Sequence, residues 1–275
     1  MTASAPPITP RRALDRTATT FRQLNEVCQR MQEQTVLRPQ PWGYFATMGW
    51  VVLAALIAII LVLVVFPKAL PDSMEPFGVD DDLLLLSYWT TIGNGALFAV
   101  LALAAWLRHW SVRDYFGLVR PSYRKIGISL AVLGMLLAAE SMVIYLTDWN
   151  AKYAMEEPYL HARTAGAQSL LWLTFDVIAT LVAAEMTFWG FLYRGWARTQ
   201  RGVVPAILVI SALPLVPDSF PIQDDWFAVF FAYCFGLICG WARWWSGSTL
   251  LAILLYVVAH LWSMATIVVN AEWPS

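Results

Sequence analysis

The stretch TMGWVVLAALIAIILVLVVF, residues 47–66, decides the fold of this chain. It holds twenty consecutive uncharged residues, and most of them are apolar. An α-helix rises 1.5 Å per residue, so about 20 such residues cross a bilayer's hydrocarbon core of roughly 30 Å. The stretch therefore predicts a transmembrane helix.

The composition of the whole chain supports a membrane protein. Of its 275 residues 59% are apolar and 13% are charged, whereas soluble domains average about 25% charged residues. The three cysteines, Cys28, Cys234 and Cys239, show neither a metal-ligand spacing nor an even disulfide set. We expect no cofactor and no bound metal. The basic residues form no basic–aromatic surface motif, so we expect no nucleic-acid partner.

Seven apolar runs are candidates for spans. They are Thr47–Phe66, Leu83–Leu107, Ile126–Leu146, Leu170–Tyr193, Val203–Val216, Trp226–Trp241 and Leu250–Val269. The predicted fold is all-α, a polytopic membrane helix bundle of about seven transmembrane helices.

The segments between these spans alternate in charge. Segments are counted from the N-terminus, with the stretch before span one as the first. The first, third, fifth and seventh segments are basic and include Arg11, Arg12, Arg16, Arg108, Arg113, Arg120, Arg194, Arg198 and Arg243. The second and sixth segments are acidic and include Asp80, Asp81, Asp218 and Asp224. The positive-inside rule then puts the N-terminus in the cytoplasm and the C-terminus outside. We expect a bacterial inner (plasma) membrane, with the basic segments against anionic headgroups.

Three parts of the chain follow from this pattern. Residues 1–46 form a cytoplasmic N-terminal segment, in which helical spacing of apolar residues over 19–34 predicts a short amphipathic helix. That helix lies on the headgroups or docks a partner. Residues 47–164 hold the first three spans, and residues 165–275 hold a core of four spans.

Four ionisable residues fall inside predicted spans, where such groups are functional candidates by default. Glu140 and Asp176 lie toward the outer ends of their spans, where water is within reach. Asp176 and Glu185 are nine residues apart and face opposite sides of one helix. Glu185 and His260 lie at similar depths, so a hydrogen bond between them is either a structural contact between helices or a reactive pair.

The stretch VAAEMTFWGFLYRGWAR, residues 182–198, carries a family resemblance together with residues 206–213, Phe235-Gly236-Leu237 and Gly247-Ser248. These segments resemble the CPBP (Abi) family of intramembrane proteases, which includes the CAAX prenyl endopeptidases, over roughly residues 165–270. The resemblance implies a multi-helix membrane core. It also implies a glutamate and histidines that activate water against a peptide bond.

The first signature of that family, Glu-Glu-x-x-x-Arg, is incomplete here. In the register set by the FWGFLYR run, Ala184 and Glu185 stand at the two glutamates and Trp189 stands at the arginine. A shifted register keeps Arg194 as the arginine, but Trp189 and Gly190 then replace both glutamates.

The other two signatures also differ from the family pattern. Ser219 stands at the histidine of the second signature. In the third, Tyr256 and His260 stand at the histidine and the asparagine. A four-residue shift makes His260 the histidine and places Met264 at the asparagine.

These substitutions predict a protease scaffold that has lost its catalytic set, with the large rings of Trp189 and Tyr256 filling the former cavity. We expect a non-catalytic binding or accessory subunit with a membrane-protein partner. The alternative is an active intramembrane endopeptidase with a rearranged site, in which Glu185 is the base and His260 or Tyr256 supports the oxyanion. A small transporter is disfavoured, because the chain shows no internal repeat.

Overall fold

The computed structural model describes residues 41–65, 79–147, 167–213 and 226–270 of the chain. All regular secondary structure in these ranges is helical. The helices are α1 (Tyr44–Val65), α2 (Val79–Leu107), α3 (Val112–Phe116), α4 (Tyr123–Thr147), α5 (Ala167–Glu185), the π-helical segment (Met186–Leu192), α6 (Tyr193–Trp196), α7 (Gln200–Ala212), α8 (Trp226–Ser246) and α9 (Thr249–Asn270). The predicted all-α fold is confirmed.

Five helical stretches are long and apolar enough to cross a membrane. They are Tyr44–Val65, Trp89–Leu107, Tyr123–Thr147, Thr174–Trp196 and Trp226–Ser246. The two shorter apolar helices, Gln200–Ala212 and Thr249–Ala265, fall on the fifth and seventh predicted spans. A polytopic helix bundle is therefore confirmed, while the count of seven crossings and the orientation of the termini stay predictions.

Large apolar side chains point outward from α1. Ile59, Ile60 and Val64 are 56%, 58% and 70% exposed. Soluble monomers rarely expose apolar patches of this extent, because each exposed side chain forgoes the free energy of burial. Hydrocarbon solvates such a surface at no cost, so the chain is an integral membrane protein.

Two apolar cores meet at the π-helical segment. One core gathers residues of α4, α7, α8 and α9 around Trp189 and Leu192. The other gathers residues of α1, α2 and α3 around Phe191. The π-helical segment therefore packs on both sides, which makes it the structural centre of the bundle.

The connection after α2 is held by backbone hydrogen bonds. The amide of His109 donates to the carbonyl of Trp106 at 2.7 Å, and that of Trp110 donates to Ala105 at 3.1 Å. This is the Schellman pattern of a helix C-terminus. It places His109 in the left-handed region, with φ of 60°.

The described residues from Pro41 onward form one compact unit. The predicted boundaries at 46/47 and 164/165 stay predictions. The amphipathic helix predicted over 19–34 lies outside the described residues.

Candidate functional site

The π-helical segment Met186–Leu192 begins directly after Glu185, within the stretch that carries the resemblance. Its last turn is closed by the amide of Tyr193, which donates to the carbonyl of Phe188, five residues earlier. The Thr187 hydroxyl donates back to the carbonyl of Ala183 at 2.8 Å. π-Helical turns inside α-helices occur frequently at functional sites, so this segment is the candidate site.

Glu185 is the last residue of α5, and it is 4% exposed. Its Oε2 is buried and has no hydrogen-bond partner among the described residues. Cys239 of α8 and Tyr256 of α9 lie within electrostatic range of the carboxyl group. A buried polar atom without a partner costs free energy, which marks Glu185 as an unusual polar group of the core.

The Trp189 side chain packs in the core of the bundle, one turn after Glu185. Its side chain is 3% exposed. A Cβ atom added at Gly240 of α8 would lie 2.6 Å from the Trp189 ring and 2.7 Å from Ile207. Only a glycine fits at this approach, so α8 and the indole of Trp189 are in direct contact.

Tyr256 and His260 lie one turn apart on α9. The Tyr256 ring meets Phe235 of α8 edge-on, with ring centroids 5.0 Å apart and an interplanar angle of 79°. His260 is half-buried. Since Glu185 Oε2 accepts no hydrogen bond, the predicted Glu185–His260 contact is not made through that oxygen. The structure thus places Tyr256 within electrostatic range of Glu185.

Two further positions, Ala184 and Ser219, were predicted from the family signatures, and the structure describes only the first of them. Ala184 precedes Glu185 on α5 and is half-buried. Ser219, which stands at the histidine of the second signature, lies outside the described residues.

Arg243 is a site residue that sequence reasoning missed. The sequence predicted it as a loop charge, but it lies in the last turn of α8 and is 4% exposed. Its Nε donates to the carbonyl of Trp189 at 2.9 Å, and its guanidinium lies over the Tyr193 ring at 5.2 Å. Arg243 therefore ties α8 to the π-helical segment.

Thr249, at the start of α9, also forms a hydrogen bond to the backbone of the π-helical segment. Its hydroxyl donates to the carbonyls of Phe116 and, at 3.4 Å, of Trp189. Its amide donates to the carbonyl of Gly117 at 3.0 Å. The turn after α3, the π-helical segment and the start of α9 are thus joined through backbone carbonyls.

A second polar contact lies between α2 and α5. The Thr90 hydroxyl donates to Asp176, and the Asn94 amide donates to Thr180 at 3.0 Å. Asp176 is 5% exposed, so of the two interpretations, contact with water or a buried polar contact, the structure favours the second. Since both partners advance by four residues, α2 and α5 run in the same direction. Spans two and four must do so if span three crosses the membrane between them.

Within the described residues no group of three or more His, Cys, Asp and Glu side chains could hold a metal ion. The arrangement around Glu185 is one buried carboxyl group with a thiol and a phenol within electrostatic range. Its chemistry is that of a proton acceptor or hydrogen-bonding group within an apolar core.

Fold and site together define a polytopic helical membrane protein with a polar group buried beside a π-helical turn. Residues 166–262 match the family model described as type II CAAX prenyl endopeptidase Rce1-like. This match covers roughly a third of the chain and confirms the family resemblance predicted from the motifs. No curated protein and no solved structure matches the chain.

Proposed function

We propose that the Rce1-like segment is a non-catalytic unit, and that the chain is a binding or accessory subunit of a complex in the bacterial inner membrane. The observation that carries this proposal is the packing of Trp189 against Gly240. The residue at the position of the family's arginine is a buried ring, 3% exposed, with no room for a side chain opposite. It belongs to the apolar core.

The surroundings of Glu185 add support. Peptide hydrolysis needs a general base together with donors that stabilise the developing oxyanion. Near Glu185 lie Cys239, which is fully buried, and Tyr256, which packs edge-on against Phe235. Cys239 and Tyr256 therefore pack as residues of a helix–helix interface do.

One observation favours a second function, an intramembrane endopeptidase with a rearranged site. Glu185 Oε2 keeps its full capacity to accept a hydrogen bond, and Tyr256 lies within electrostatic range. In this alternative Glu185 is the general base, while Tyr256 or His260 supports the oxyanion.

The two functions are separated by purifying the full chain gently from its native membrane. We expect a stoichiometric membrane-protein companion, and no cleavage of a fluorogenic prenylated peptide ending in a CAAX sequence. The variants Glu185→Gln, Tyr256→Phe and His260→Ala are compared with the control Glu140→Gln, which removes the charge of another intramembrane glutamate.

Cleavage by the wild type that is lost in Glu185→Gln and kept in Glu140→Gln would overturn the non-catalytic proposal. Companion binding that survives all four substitutions, without any cleavage, supports it.

A further inference from the structure

A second polar site lies at the end of the bundle that carries the basic segments. We call it the arginine–tryptophan cluster, and it consists of Trp42, Arg108, Trp110, Tyr115 and Arg194. We propose that this cluster binds the phosphate group of an anionic phospholipid. The inference is independent of the function proposed for the Glu185 site.

Two guanidinium groups lie over indole rings in this cluster. The Arg108 guanidinium lies 4.4 Å from the centroid of the Trp42 ring, and the Arg194 guanidinium lies 4.9 Å from that of Trp110. A guanidinium held over a ring by its face can still donate N–H groups in its plane, and the Nε of Arg108 has no hydrogen-bond partner among the described residues. Phosphate is the group that such a planar fork binds well.

Three buried polar groups of the cluster have no hydrogen-bond partner in the part of the chain that the structure describes. Arg108 Nε, Trp110 Nε1 and the Tyr115 hydroxyl are all buried without a hydrogen-bond partner among the described residues. Trp110 is 9% exposed and Tyr115 is fully buried. The Tyr115 hydroxyl lies beside Thr47 and the Trp42 backbone, but without the geometry of a hydrogen bond. Three buried N–H and O–H groups without a partner, close to the charge of Arg108, favour an anion.

The backbone fixes these donors in place. Trp42 Nε1 donates to the carbonyl of Ala104 at 2.9 Å, and the Thr47 hydroxyl is turned toward the carbonyls of Gly43 and Trp42, at 2.8 and 3.1 Å. The Schellman turn at His109 orders the chain between Arg108 and Trp110. A preorganised site of this kind binds with little further loss of conformational entropy.

The nearby charge is strongly positive. Residues 108–125 carry five basic residues and a single acidic one, Asp114. Asp114 is engaged by the hydroxyl of Ser111 at 2.8 Å. An anion at the cluster therefore meets a local excess of positive charge.

The surface next to the cluster indicates where the phosphate comes from. Phe45, Trp106 and Leu107 are 95%, 67% and 47% exposed at the same end of α1 and α2. An aromatic and apolar surface at a span end suits the lipid interface. A phospholipid can place its acyl chains there while its phosphate reaches Arg108, whereas free phosphate gains nothing from these side chains.

The test measures binding of phosphatidylglycerol to the detergent-purified full chain by native mass spectrometry. Arg108→Gln and Arg194→Gln should each weaken binding about tenfold, since a charge-assisted contact is lost. The matched control Arg113→Gln removes an exposed charge from the same segment, so binding should change by less than about twofold.

A further variant and two further ligands complete the test. Arg108→Lys keeps the charge but loses the planar fork, and it should weaken binding several-fold even if Arg108→Gln does not fold. Equal losses in Arg108→Gln and Arg113→Gln, or unchanged binding in Arg108→Lys, would overturn the site. Displacement of the lipid by millimolar inorganic phosphate, with no preference for phosphatidylglycerol over phosphatidylcholine, would overturn the lipid as its source.

Discussion

The Nε of Arg243 donates a hydrogen bond of 2.9 Å to the backbone carbonyl of Trp189 in the middle of the π-helical segment. A π-helical turn disturbs the regular i→i+4 ladder, and carbonyls freed inside a membrane bundle need another donor. Arg243 supplies that donor from the neighbouring helix α8. This contact explains why a charged residue lies buried in an apolar core.

Replacement of Arg243 should therefore destabilise the bundle. Arg243→Gln removes a charge-assisted hydrogen bond, which is worth about 1.5–3 kcal/mol. We expect a loss of that order in the free energy of unfolding, measured by denaturant titration in detergent. The control Arg120→Gln alters an exposed arginine and should stay within about 0.5 kcal/mol of the wild type. Equal stability of both variants would mean that the Arg243–Trp189 bond contributes nothing.

Gly117 provides a separate prediction about the same guanidinium. Its φ of 66° lies in the left-handed region, and an added Cβ would collide with the Arg243 side chain. Gly117→Ala should cost about 2 kcal/mol or more, since it combines backbone strain with a clash.

The matched control for Gly117→Ala is Gly134→Ala, within α4. An added Cβ there meets nothing within 4 Å, so the higher helix propensity of alanine should leave stability unchanged or raise it by up to about 1 kcal/mol. A melting temperature that falls equally in both variants would contradict the assigned role of Gly117.

The sequence predicted the helices well, because the bilayer imposes a simple rule on it. Each span needs a long and mostly apolar run, and the helix Tyr44–Val65 contains all but the last residue of the run Thr47–Phe66 from which the fold was inferred. The five-residue helix α3 and the π-helical segment were not predicted. Both arise from local hydrogen bonding and tertiary packing, which leave no periodic pattern.

Site residues could be predicted only where the residue type itself, by its charge or its place in a family motif, pointed to them. Glu185 and Asp176 were found through their charge inside a span, and Trp189 was found through the resemblance. Arg243 was missed because its partner is a backbone carbonyl 54 residues away. Thr90 was missed because a threonine in a span gives no sign of its contact with Asp176, 86 residues further along the chain.

His109 gives a prediction in the opposite direction, toward higher stability. The left-handed conformation destabilises a residue with a Cβ atom by roughly 1 kcal/mol. His109 adopts this conformation, with a φ of 60°. His109→Gly should raise the free energy of unfolding by up to about 1 kcal/mol, because glycine adopts this conformation without strain. His109→Ala retains the Cβ and should show no gain. A gain in both variants would assign the effect to the imidazole and not to the backbone.

Tyr115 predicts a pH dependence of stability. Burial raises the pKa of Tyr115 from its ordinary value of 10.0 to about 12, although nearby Arg194 and Arg108 oppose the shift. A phenol whose pKa is higher in the folded state stabilises the protein fully below pH 10, and this contribution is lost as the pH rises from 10 to 12. The loss should amount to about 2 kcal/mol.

Tyr115→Phe tests this by removing the titrating group. The free energy of unfolding of the wild type, relative to this variant, should fall between pH 10 and 12. The control Tyr123→Phe removes an exposed phenol and should keep the wild-type dependence. A constant difference between wild type and Tyr115→Phe across this range would contradict the prediction.

The contact between Trp189 and Gly240 allows the filled core to be tested by a double-mutant cycle. Gly240→Ala alone forces a methyl group into the Trp189 ring and should cost about 1–3 kcal/mol. Trp189→Leu alone leaves a void and should cost about 3 kcal/mol. In the double variant the methyl group enters the vacated space, so the total cost should be about 1–2 kcal/mol smaller than the sum.

The control for this cycle is Gly127→Ala combined with Trp189→Leu. An added Cβ at Gly127 meets nothing within 4 Å, so these two changes should be additive within about 0.5 kcal/mol. Unfolding free energies of all variants are measured in one detergent. If Gly240→Ala is neutral and additive with Trp189→Leu, the indole does not occupy this space. The core beside Glu185 would then have room for a substrate, which removes the main support for a non-catalytic function.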